Sequence, residues 1–567
     1  ELNPSRSLNS HPVFQVMLVH QNVPSLYEVP GMRLEVLKID YGLAKFDLNL
    51  WTEDIGDGLT LTLHYSKDVF AAATVRRMLD HYQSMLESVI ANPDCAVGSL
   101  EYFDTEISAP RPAVVAAPPA PPSLHRQFEA QVARTPYAMA AEGADTELNY
   151  EELNARANQL ARHLVKAGAS RGEPVALLLP RSPELLVGVL AVWKMGSPFV
   201  ALDPINPPHR MAAMLRDAEA NFLLSDSAVD VGLGEILEIV TAINLDECAD
   251  AVGAQDPANL TGDQGLDEEG GQLAYIVYTS GSTGAPKGIE VEHGHLAHYC
   301  EGIWAVMGLG AGDRFATVTS AAADLGYTML FPPLLNGGCV VLVPEKIVTD
   351  AVALAEYFGR RPVDCLKIVP AHLRALMGPG QSPALLPRML LVLGGETCLP
   401  ELIREIRNVS PALRILNHYG PSETTVGVLA YEVPSNESFA ASTVPLGFPI
   451  GGACAYVLDG QRQPVPDGIH GEIFIGGPTV ARGYLNRPDW TAEKFQADPW
   501  TLGERLYRSG DRGRKLENGA IEFLGRADRQ IKIRGFRVDL EEIEQVILSH
   551  ADVEQAVVLG PHDKAPT

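Results

Sequence analysis

The residues best suited to chemistry lie in one glycine- and hydroxyl-rich segment, YIVYTSGSTGAPKG, at residues 275–288. An apolar strand is predicted to end at Tyr278, and six small residues follow it. Small residues let backbone N–H groups and hydroxyls approach a polyphosphate closely, and Lys287 adds a cation. We therefore predict a phosphate-binding loop built from Thr279, Ser280, Gly281, Ser282, Thr283, Gly284 and Lys287.

This segment differs from the GxxxxGK[ST] phosphate loop, because Gly288 follows Lys287 and the spacing does not match. Taken alone, the segment also fits a flexible Ser/Gly turn that binds nothing. The elements and motifs around it have to decide between the two interpretations.

Helical and strand patterns alternate from Leu124 onward, which is typical of layered α/β domains with mostly parallel sheets. Apolar spacing predicts a helix over 151–168. Apolar runs predict strands at 174–179, 339–343 and 389–395. Strands separated by Gly, Pro and Asp turns dominate 453–486, which indicates a β-rich subdomain, and a last helix is predicted in VDLEEIEQVILSH after the junction at 525–535.

The first hundred residues are organised differently. Short β-rich runs at 12–22 and 57–65 precede helical spacing over 72–92, which predicts an α+β unit. Prolines recur through TEISAPRPAVVAAPPAPPS and favour an extended interdomain spacer. The predicted boundaries are 1–104 for the first unit, 105–123 for the linker, 124–526 for a large core and 527–567 for the start of a small C-terminal subdomain.

Composition narrows the function classes. With 71 acidic against 44 basic residues and a net charge of −27, a general attraction to nucleic acid or to an anionic membrane is not expected. The seven cysteines are scattered without a CxxC pair, which fits reduced thiols in the cytosol. No apolar run of transmembrane length and no signal-peptide pattern occur, so a cytoplasmic location is predicted.

Six further motifs accompany the loop in a fixed order. They are LNYEELN (148–154), AVWKMGSPFVALDPINP (191–207), NHYGPSETT (417–425), GEIFIGGPTVARGYLNRP (471–488), YRSGD (507–511) and GRADRQIKIRGFRVDLEEIE (525–544). In kind and order they resemble the adenylation domains of nonribosomal peptide synthetases, within the adenylate-forming (ANL) enzyme superfamily. The resemblance implies the ANL fold: layered α/β subdomains, a β-rich subdomain and a truncated small C-terminal subdomain.

The resemblance also implies a nucleotide site. Asn417 and Tyr419 would contact the adenine, and Ser422 would lie near the phosphates. Asp511 would accept hydrogen bonds from the ribose hydroxyls, with Arg526 assisting; a carboxylate is a natural acceptor for a vicinal diol. Each of these residues alone also fits a solvated loop.

The implied reaction has two steps. A substrate carboxylate attacks the α-phosphorus of ATP and pyrophosphate leaves; the aminoacyl adenylate then passes to the phosphopantetheine thiol of a separate carrier domain. Lys287 and Glu423 would be catalytic, and Glu423 would hold Mg²⁺, since an acidic group beside phosphates needs a metal. Asp528 would be the hinge on which the small C-terminal subdomain swings. Alternatively, residues 525–535 form an ordinary basic turn between strands and have no hinge function.

A substrate pocket follows from the segment ADLGYT, at 323–328. Alignment on the family's pocket places Asp324 where these domains anchor the substrate α-ammonium group, which favours an amino acid over a fatty or aryl acid. The other substrate-binding positions fall on Leu325, Thr328, Lys367, Val392, Gly394, His418, Val426 and Gly427. Read in order, they resemble the set associated with aspartate-activating domains.

Lys367 supports this assignment independently, because it interrupts the apolar run CLKIVP and a buried ammonium is costly unless paired. A substrate side-chain carboxylate would supply the missing charge, with His418 donating a second hydrogen bond. Alternatively, Lys367 reaches solvent or pairs with a protein carboxylate such as Asp364, and His418 is a satisfied core histidine. A β-substituted aspartate and asparagine are the alternative substrates.

Residues 1–104, with PSRSLNSHPVFQVMLVHQN and AKFDLNL, resemble the C-terminal lobe of a condensation domain, an α+β fold. No HHxxxDG motif occurs, so the family's catalytic histidine is expected upstream of residue 1. The family's late C-terminal lysine is expected beyond Thr567. We therefore interpret the chain as part of a longer protein, with a downstream carrier domain and a small accessory protein as candidate partners.

Two rival functions share these features. An acyl- or aryl-CoA ligase would have the same phosphate loop, but Asp324 and the condensation-like leader argue against it. A platform that binds nucleotide and amino acid without full catalysis fits the expected absence of the late lysine.

Overall fold

The chain divides into two compact units, Glu1–Ala109 and Pro110–Thr567, in the computed structural model. The structure describes residues 14–21, 26–35, 44–54, 58–97, 100, 121–227, 229, 234–260, 271–279, 286–378, 382–435, 442–533, 536–548, 550 and 552–560. Most of the predicted linker at 105–123 lies outside these residues.

The first unit is α+β, as predicted. Its elements are β1 (Val16–Gln21), β2 (Leu26–Val29), β3 (Met32–Glu35), β4 (Leu48–Asp54), β5 (Leu59–Tyr65) and α1 (Ala72–Ala91). β4 is the central strand of a three-stranded sheet and pairs parallel with β1 and antiparallel with β5. β2 and β3 form a separate hairpin. The strands predicted at 12–22 and 57–65 and the helix predicted at 72–92 are confirmed.

The second unit contains the elements that position the candidate site. Its strands are β6 (Met139–Glu142), β7 (Glu147–Asn149), β8 (Val175–Leu178), β9 (Phe199–Ala201), β10 (Phe222–Ser225), β11 (Thr241–Asn244), β12 (Leu273–Thr279), β13 (Lys287–Glu292), β14 (Arg314–Thr317), β15 (Cys339–Leu342), β16 (Cys365–Ile368), β17 (Leu390–Gly394), β18 (Arg414–Tyr419), β19 (Leu429–Glu432), β20 (Phe448–Pro449), β21 (Cys454–Leu458), β22 (His470–Gly476), β23 (Gly483–Tyr484), β24 (Phe495–Ala497), β25 (Arg505–Lys515), β26 (Ile521–Arg526), β27 (Gln530–Ile533) and β28 (Phe536–Asp539).

Helices alternate with these strands through most of the second unit. They are α2 (Leu124–Arg134), α3 (Tyr150–Lys166), α4 (Pro183–Lys194), α5 (Pro208–Asp217), α6 (Gly234–Leu237), α7 (Ala249–Gly253), α8 (His293–Met307), α9 (Phe331–Asn336), α10 (Ala351–Arg360), α11 (Pro370–Met377), α12 (Pro400–Val409), α13 (Pro488–Lys494) and α14 (Leu540–Leu548). Short 3-10 turns occur at Asp324–Met329, Glu345–Ile347, Pro383–Leu385 and Ser422–Thr424.

Two mostly parallel sheets and one antiparallel sheet organise this unit. The seven-stranded sheet has the order β11-β10-β8-β9-β12-β13-β23, and the nine-stranded sheet has the order β20-β19-β18-β17-β16-β14-β15-β6-β7. The third sheet, β21-β22-β25-β24 with β26 beside β25, is the β-rich region predicted near 453–486. Layered α/β architecture with a β-rich subdomain is therefore confirmed.

Local sequence signals explain how individual helices form. α3 begins with a capping box, because Asn149 accepts the Glu152 N–H at 2.8 Å and the Glu152 carboxylate accepts the Asn149 N–H at 2.9 Å. α4 is buried along almost its whole length, which its apolar sequence requires. No helix among the described residues is long and apolar enough to cross a membrane.

Three adjacent parallel strands bring predicted site residues together. In the register of β16, β17 and β18, Lys367 is opposite Val392, and Gly394 is opposite His418. These residues lie toward the carboxyl ends of the strands, where open α/β sheets bind their ligands.

Candidate active site

A cavity of about 570 Å³ opens at this edge of the second unit. Seven of the predicted site residues line it: Thr279, Asp324, Leu325, Ser422, Val426, Asp511 and Arg526. Other parts of its wall come from β9 and β12, from α5 and the loop before it, from the loops at 322–323, 395 and 420–421, and from the segment that contains β27, β28 and α14. The cavity therefore combines the large core with the residues that follow the predicted hinge.

The predicted phosphate loop connects two paired strands. Thr279 ends β12 and is the cross-strand partner of Lys287, which begins β13. Residues Ser280, Gly281, Ser282, Thr283 and Gly284 lie outside the described residues. The Lys287 ammonium lies 4.6 Å from the centroid of the Trp490 ring, a cation–π distance. The structure thus fixes both ends of the loop and gives Lys287 an aromatic contact that the sequence did not indicate.

Asp511 is a buried carboxylate held from two sides. The Tyr419 hydroxyl donates to one of its oxygens and the Arg526 guanidinium donates to the other. Arg526 also donates to both oxygens of Asp528, at 2.6 and 2.7 Å. A carboxylate has about four lone-pair positions, so Asp511 keeps acceptor capacity for a diol. The predicted ribose residue and the predicted hinge residue are therefore linked through one arginine.

Asn417 and Glu423 are buried beside this cavity without appearing in its lining. The Asn417 amide donates to the Val444 and Pro445 carbonyls, at 3.3 and 2.7 Å. The Tyr484 hydroxyl donates to the Glu423 carboxylate at 2.8 Å. The described residues include no group of three or more His, Cys, Asp or Glu that could hold a metal ion. One carboxylate fits Mg²⁺ bound mainly through phosphate oxygens and water.

Asp324 begins a short 3-10 turn and is buried in the cavity wall. The Ser422 side chain and the Val426 N–H hydrogen-bond its carboxylate, but its Oδ2 atom has no partner among the described residues. Burial raises the pKa of Asp324, and the Ser422 hydrogen bond and Lys367 oppose that shift. Because an unsatisfied buried acceptor is costly, this atom fits a cationic ligand group.

A strained turn supplies the contact to Asp324. Thr425 and Val426 have φ values of 61° and 64°, which are unusual for β-branched residues. The Thr425 hydroxyl donates to the Thr479 carbonyl at 2.7 Å and holds this conformation. The sequence analysis included Val426 but missed Thr425, because no residue pattern predicts a left-handed backbone conformation at a β-branched residue.

Lys367 is fully buried and donates hydrogen bonds only to neutral groups within the described part of the chain. Its Nζ atom lies 2.7 Å from Thr328 Oγ1 and 3.1 Å from His418 Nδ1. Burial lowers the pKa of Lys367 to about 7, and the Asp324 carboxylate partly opposes this. The lysine does not reach solvent and forms no ion pair among the described residues, and Asp364 instead accepts from Arg388 at 2.8 Å.

His418 presents a second polar atom beside this lysine. Because its Nδ1 atom accepts from Lys367, its Nε2 atom carries the hydrogen, and Nε2 has no partner among the described residues. Burial and Lys367 lower the pKa of His418 well below its usual value, so the ring is neutral. A Cβ atom at Gly427 would lie 2.3 Å from Nε2, so only glycine leaves room for this ring. His418 is therefore not a satisfied core histidine.

The structure also brings in residues that sequence reasoning did not single out. Lys532 lines the cavity, and its ammonium lies 5.8 Å from the centroid of the Tyr419 ring. Arg210 of α5 and Glu542 of α14 approach to 3.4 Å at the cavity wall. Tyr299 of α8 hydrogen-bonds Thr328. No local pattern could have found Tyr299, because it lies in a mostly apolar helix.

Comparison with known proteins agrees with this geometry. Residues 128–485 match the AMP-binding enzyme family, and residues 1–109 match the condensation domain family. Bacitracin synthase 3 of Bacillus licheniformis is 34% identical over 99% of this chain, and surfactin synthase subunit 2 of Bacillus subtilis (strain 168) is 33% identical over 98%. The chain spans 9% and 16% of the lengths of these two relatives.

Solved structures show the same fold. An artificially fused adenylation-PCP di-domain, NpsA-ThdA from Klebsiella oxytoca, is 26% identical with a TM-score of 0.69, and the match covers 76% of this chain and 85% of that one. The AMPPNP-bound form of the nonribosomal peptide synthetase FmoA3 is 26% identical with a TM-score of 0.76, covering 90% and 55%. The chain belongs to the AMP-binding enzyme family, as a nonribosomal peptide synthetase adenylation domain that follows a condensation-domain segment.

Proposed function

We propose that this chain activates an amino acid with ATP and Mg²⁺ to an aminoacyl-AMP and pyrophosphate, in the cytoplasm. The activated residue, which we propose to be L-aspartate, is then loaded onto the phosphopantetheine thiol of a downstream carrier domain. The unpartnered Oδ2 atom of Asp324 supports an amino acid as substrate, because an α-ammonium group would satisfy it. An aryl or fatty acid would leave that buried carboxylate oxygen unpaired.

The nucleotide would be held by the residues around Asp511. Its remaining acceptor capacity suits the ribose hydroxyls, and Asn417 and Tyr419 would contact the adenine. ATP supplies the leaving pyrophosphate, and Mg²⁺ at Glu423 would neutralise charge on the phosphates. Lys287 would leave the Trp490 ring to reach the phosphates, and Asp528 would act as hinge. The domain boundaries given above are part of this proposal.

One observation supports the choice of aspartate. Lys367 is fully buried and has only neutral hydrogen-bond partners among the described residues, and the neighbouring His418 N–H group has no hydrogen-bond partner there. An ammonium in an apolar interior is stabilised by an anion. A substrate side-chain carboxylate could supply that anion and accept a hydrogen bond from Lys367. The His418 Nε2–H group points away from Lys367, because Nδ1 faces the lysine, so it would need a separate acceptor. Asparagine would leave the charge of Lys367 without a counterion, and a loss of about 1–3 kcal/mol corresponds to roughly 5–150-fold weaker binding.

The test is calorimetric binding of non-hydrolysable aspartyl- and asparaginyl-adenylate analogues to this chain. We expect the aspartyl analogue to bind at least fivefold more tightly, and Lys367→Ala to abolish that preference. Lys166→Ala, at an exposed lysine of α3, is the matched control and should keep it. Tight binding of both analogues without discrimination would remove aspartate and leave amino-acid adenylation standing. A β-substituted aspartyl analogue that binds tighter than either would redefine the substrate within the same pocket.

A further inference from the structure

We propose that Tyr299 is a positioning residue for substrate selection, which orients Lys367 through Thr328 and fixes the ring of His418. The inference rests on the proposed function, since it explains how the buried Lys367 ammonium is directed toward a substrate carboxylate. Tyr299 itself would not touch the substrate.

The geometry places Tyr299 beside Thr328 and His418, and none of these three residues lines the cavity described above. Tyr299 lies in α8, is fully buried, and its hydroxyl is 2.5 Å from Thr328 Oγ1. Its ring centroid lies 5.8 Å from that of His418, at an interplanar angle of 49°. A single side chain thus contacts the two neighbours that hydrogen-bond Lys367.

The hydrogen-bond donors and acceptors at the Thr328 hydroxyl define the role of the Tyr299 hydroxyl. A threonine hydroxyl has one hydrogen and two acceptor positions. If Lys367 and Tyr299 both donate to Thr328, the threonine hydrogen is left for the Leu325 carbonyl, 3.5 Å away. The threonine oxygen is then held as an acceptor facing the lysine. Without the tyrosine hydroxyl, the threonine hydroxyl gains rotational freedom.

The orientation of the lysine ammonium follows from that of the threonine. An ammonium has three N–H groups in a fixed tripod. Thr328 and His418 take two of them, and the third is directed by the first two. This third donor is the one that Lys367 can offer to a substrate carboxylate. A loosely held threonine would let the tripod rotate away from that direction.

The charges around Lys367 make its protonation sensitive to these contacts. Asp324 and the Cys365 thiol favour its charged form, whereas burial and Lys532 disfavour it. His418 is neutral, and burial raises the pKa of Tyr299 well above its usual value, so its hydroxyl stays a donor. A hydrogen bond to the charged ammonium favours that form, so losing a well-placed acceptor at Thr328 would disfavour the charged Lys367 and shorten the pH range in which a carboxylate is bound.

Tyr299→Phe tests the inference with the same aspartyl- and asparaginyl-adenylate analogues, by calorimetry between pH 6 and 9. We expect a five- to tenfold loss in affinity for the aspartyl analogue and less than a twofold change for the asparaginyl analogue. The decline of aspartyl binding at high pH should move to lower pH. A merely structural tyrosine would weaken both analogues equally and leave the pH profile in place, and that result would overturn the inference.

Tyr150→Phe is the matched control, because Tyr150 is equally buried and donates to the Gly338 carbonyl at 2.8 Å rather than to a hydrogen-bond partner of Lys367. It should preserve the ratio of the two affinities.

Thr328→Val removes the hydroxyl that links Tyr299 to Lys367, so the preference for the aspartyl analogue should fall. Adding Tyr299→Phe to Thr328→Val should then reduce the preference less than Tyr299→Phe reduces it in the wild-type chain. Full preference in Thr328→Val overturns the inference even where Tyr299→Phe does not fold.

The same measurements separate the inference from the proposed function. Loss of preference in Lys367→Ala with full preference in Tyr299→Phe rejects Tyr299 and keeps aspartate. A wild-type chain that does not discriminate between the analogues rejects both.

Discussion

Lys194 and Lys367 are both buried in the second unit, yet their surroundings differ in one respect. Lys194, at the end of α4, forms an ion pair with Glu129 of α2. Lys367 hydrogen-bonds only Thr328 and His418 among the described residues. Burial lowers the pKa of Lys194 to about 8 and that of Lys367 to about 7, and Glu129 opposes the shift of Lys194.

This difference would separate a structural lysine, Lys194, from the proposed binding lysine, Lys367. A buried ammonium with its own carboxylate completes an internal pair, whereas one that contacts neutral acceptors leaves a charge for a ligand to neutralise. The two sites therefore respond differently to removal of the lysine, to pH and to ligand.

The largest effect is expected at Lys194. Lys194→Met leaves the mostly buried Glu129 side chain with Arg126, 2.9 Å away, as its one ion-pair partner among the described residues. Removing one member of a buried pair typically costs 3–5 kcal/mol, and the remaining arginine places the expected loss near about 3 kcal/mol of unfolding free energy. Urea denaturation measures it, with Lys166→Met at the exposed end of α3 as control. An unchanged midpoint would show that Lys194 is no more structural than Lys367.

The next effect is the pH dependence of ligand binding. Unliganded Lys367 loses its proton near pH 7, and a bound carboxylate favours the charged form. Binding of the aspartyl-adenylate analogue should therefore take up a proton above pH 7 and weaken by up to about tenfold per pH unit, or about 1.4 kcal/mol. The α-amino group of the ligand also titrates, so the asparaginyl analogue is measured in parallel. Equal slopes for the two analogues would contradict a carboxylate contact with Lys367.

Much of this molecule could be predicted from its residues, but the comparison of the two lysines shows where such prediction ends. Both interrupt apolar runs, AVWKMG and CLKIVP, and nothing in either run says whether a carboxylate lies opposite. Apolar patterns predicted the alternation of helices and strands. The family resemblance assigned Asp324 to a substrate site and Ser422 and Asp511 to a nucleotide site, and all three line one cavity.

Contacts between segments that are distant in the chain could not be predicted from the sequence. Glu129 is 65 residues from Lys194, and Tyr299 is 29 residues from Thr328. The left-handed turn at Thr425 and the contact of Lys287 with Trp490 likewise depend on tertiary packing, which local patterns do not encode.

The smallest effect concerns the stability of the unliganded chain. Folding moves Lys367 from water into the interior without a hydrogen-bonded counterion, so a lysine kept for binding should cost stability. Lys367→Met has nearly the same length and no charge to bury. Asp324 loses a nearby cation, which offsets part of the gain, and we expect the unfolding free energy to rise by about 1 kcal/mol at pH 7.

Urea denaturation of Lys367→Met and Lys194→Met side by side shows whether each substitution raises or lowers the unfolding free energy. Two equally buried lysines should then move stability in opposite directions, because only one of them has its carboxylate in the fold. A loss of stability in Lys367→Met as large as that in Lys194→Met would mean that Asp324 already acts as the counterion of Lys367. The charge would then be neutralised within the protein, and the physical argument for an aspartate side chain in this pocket would fail.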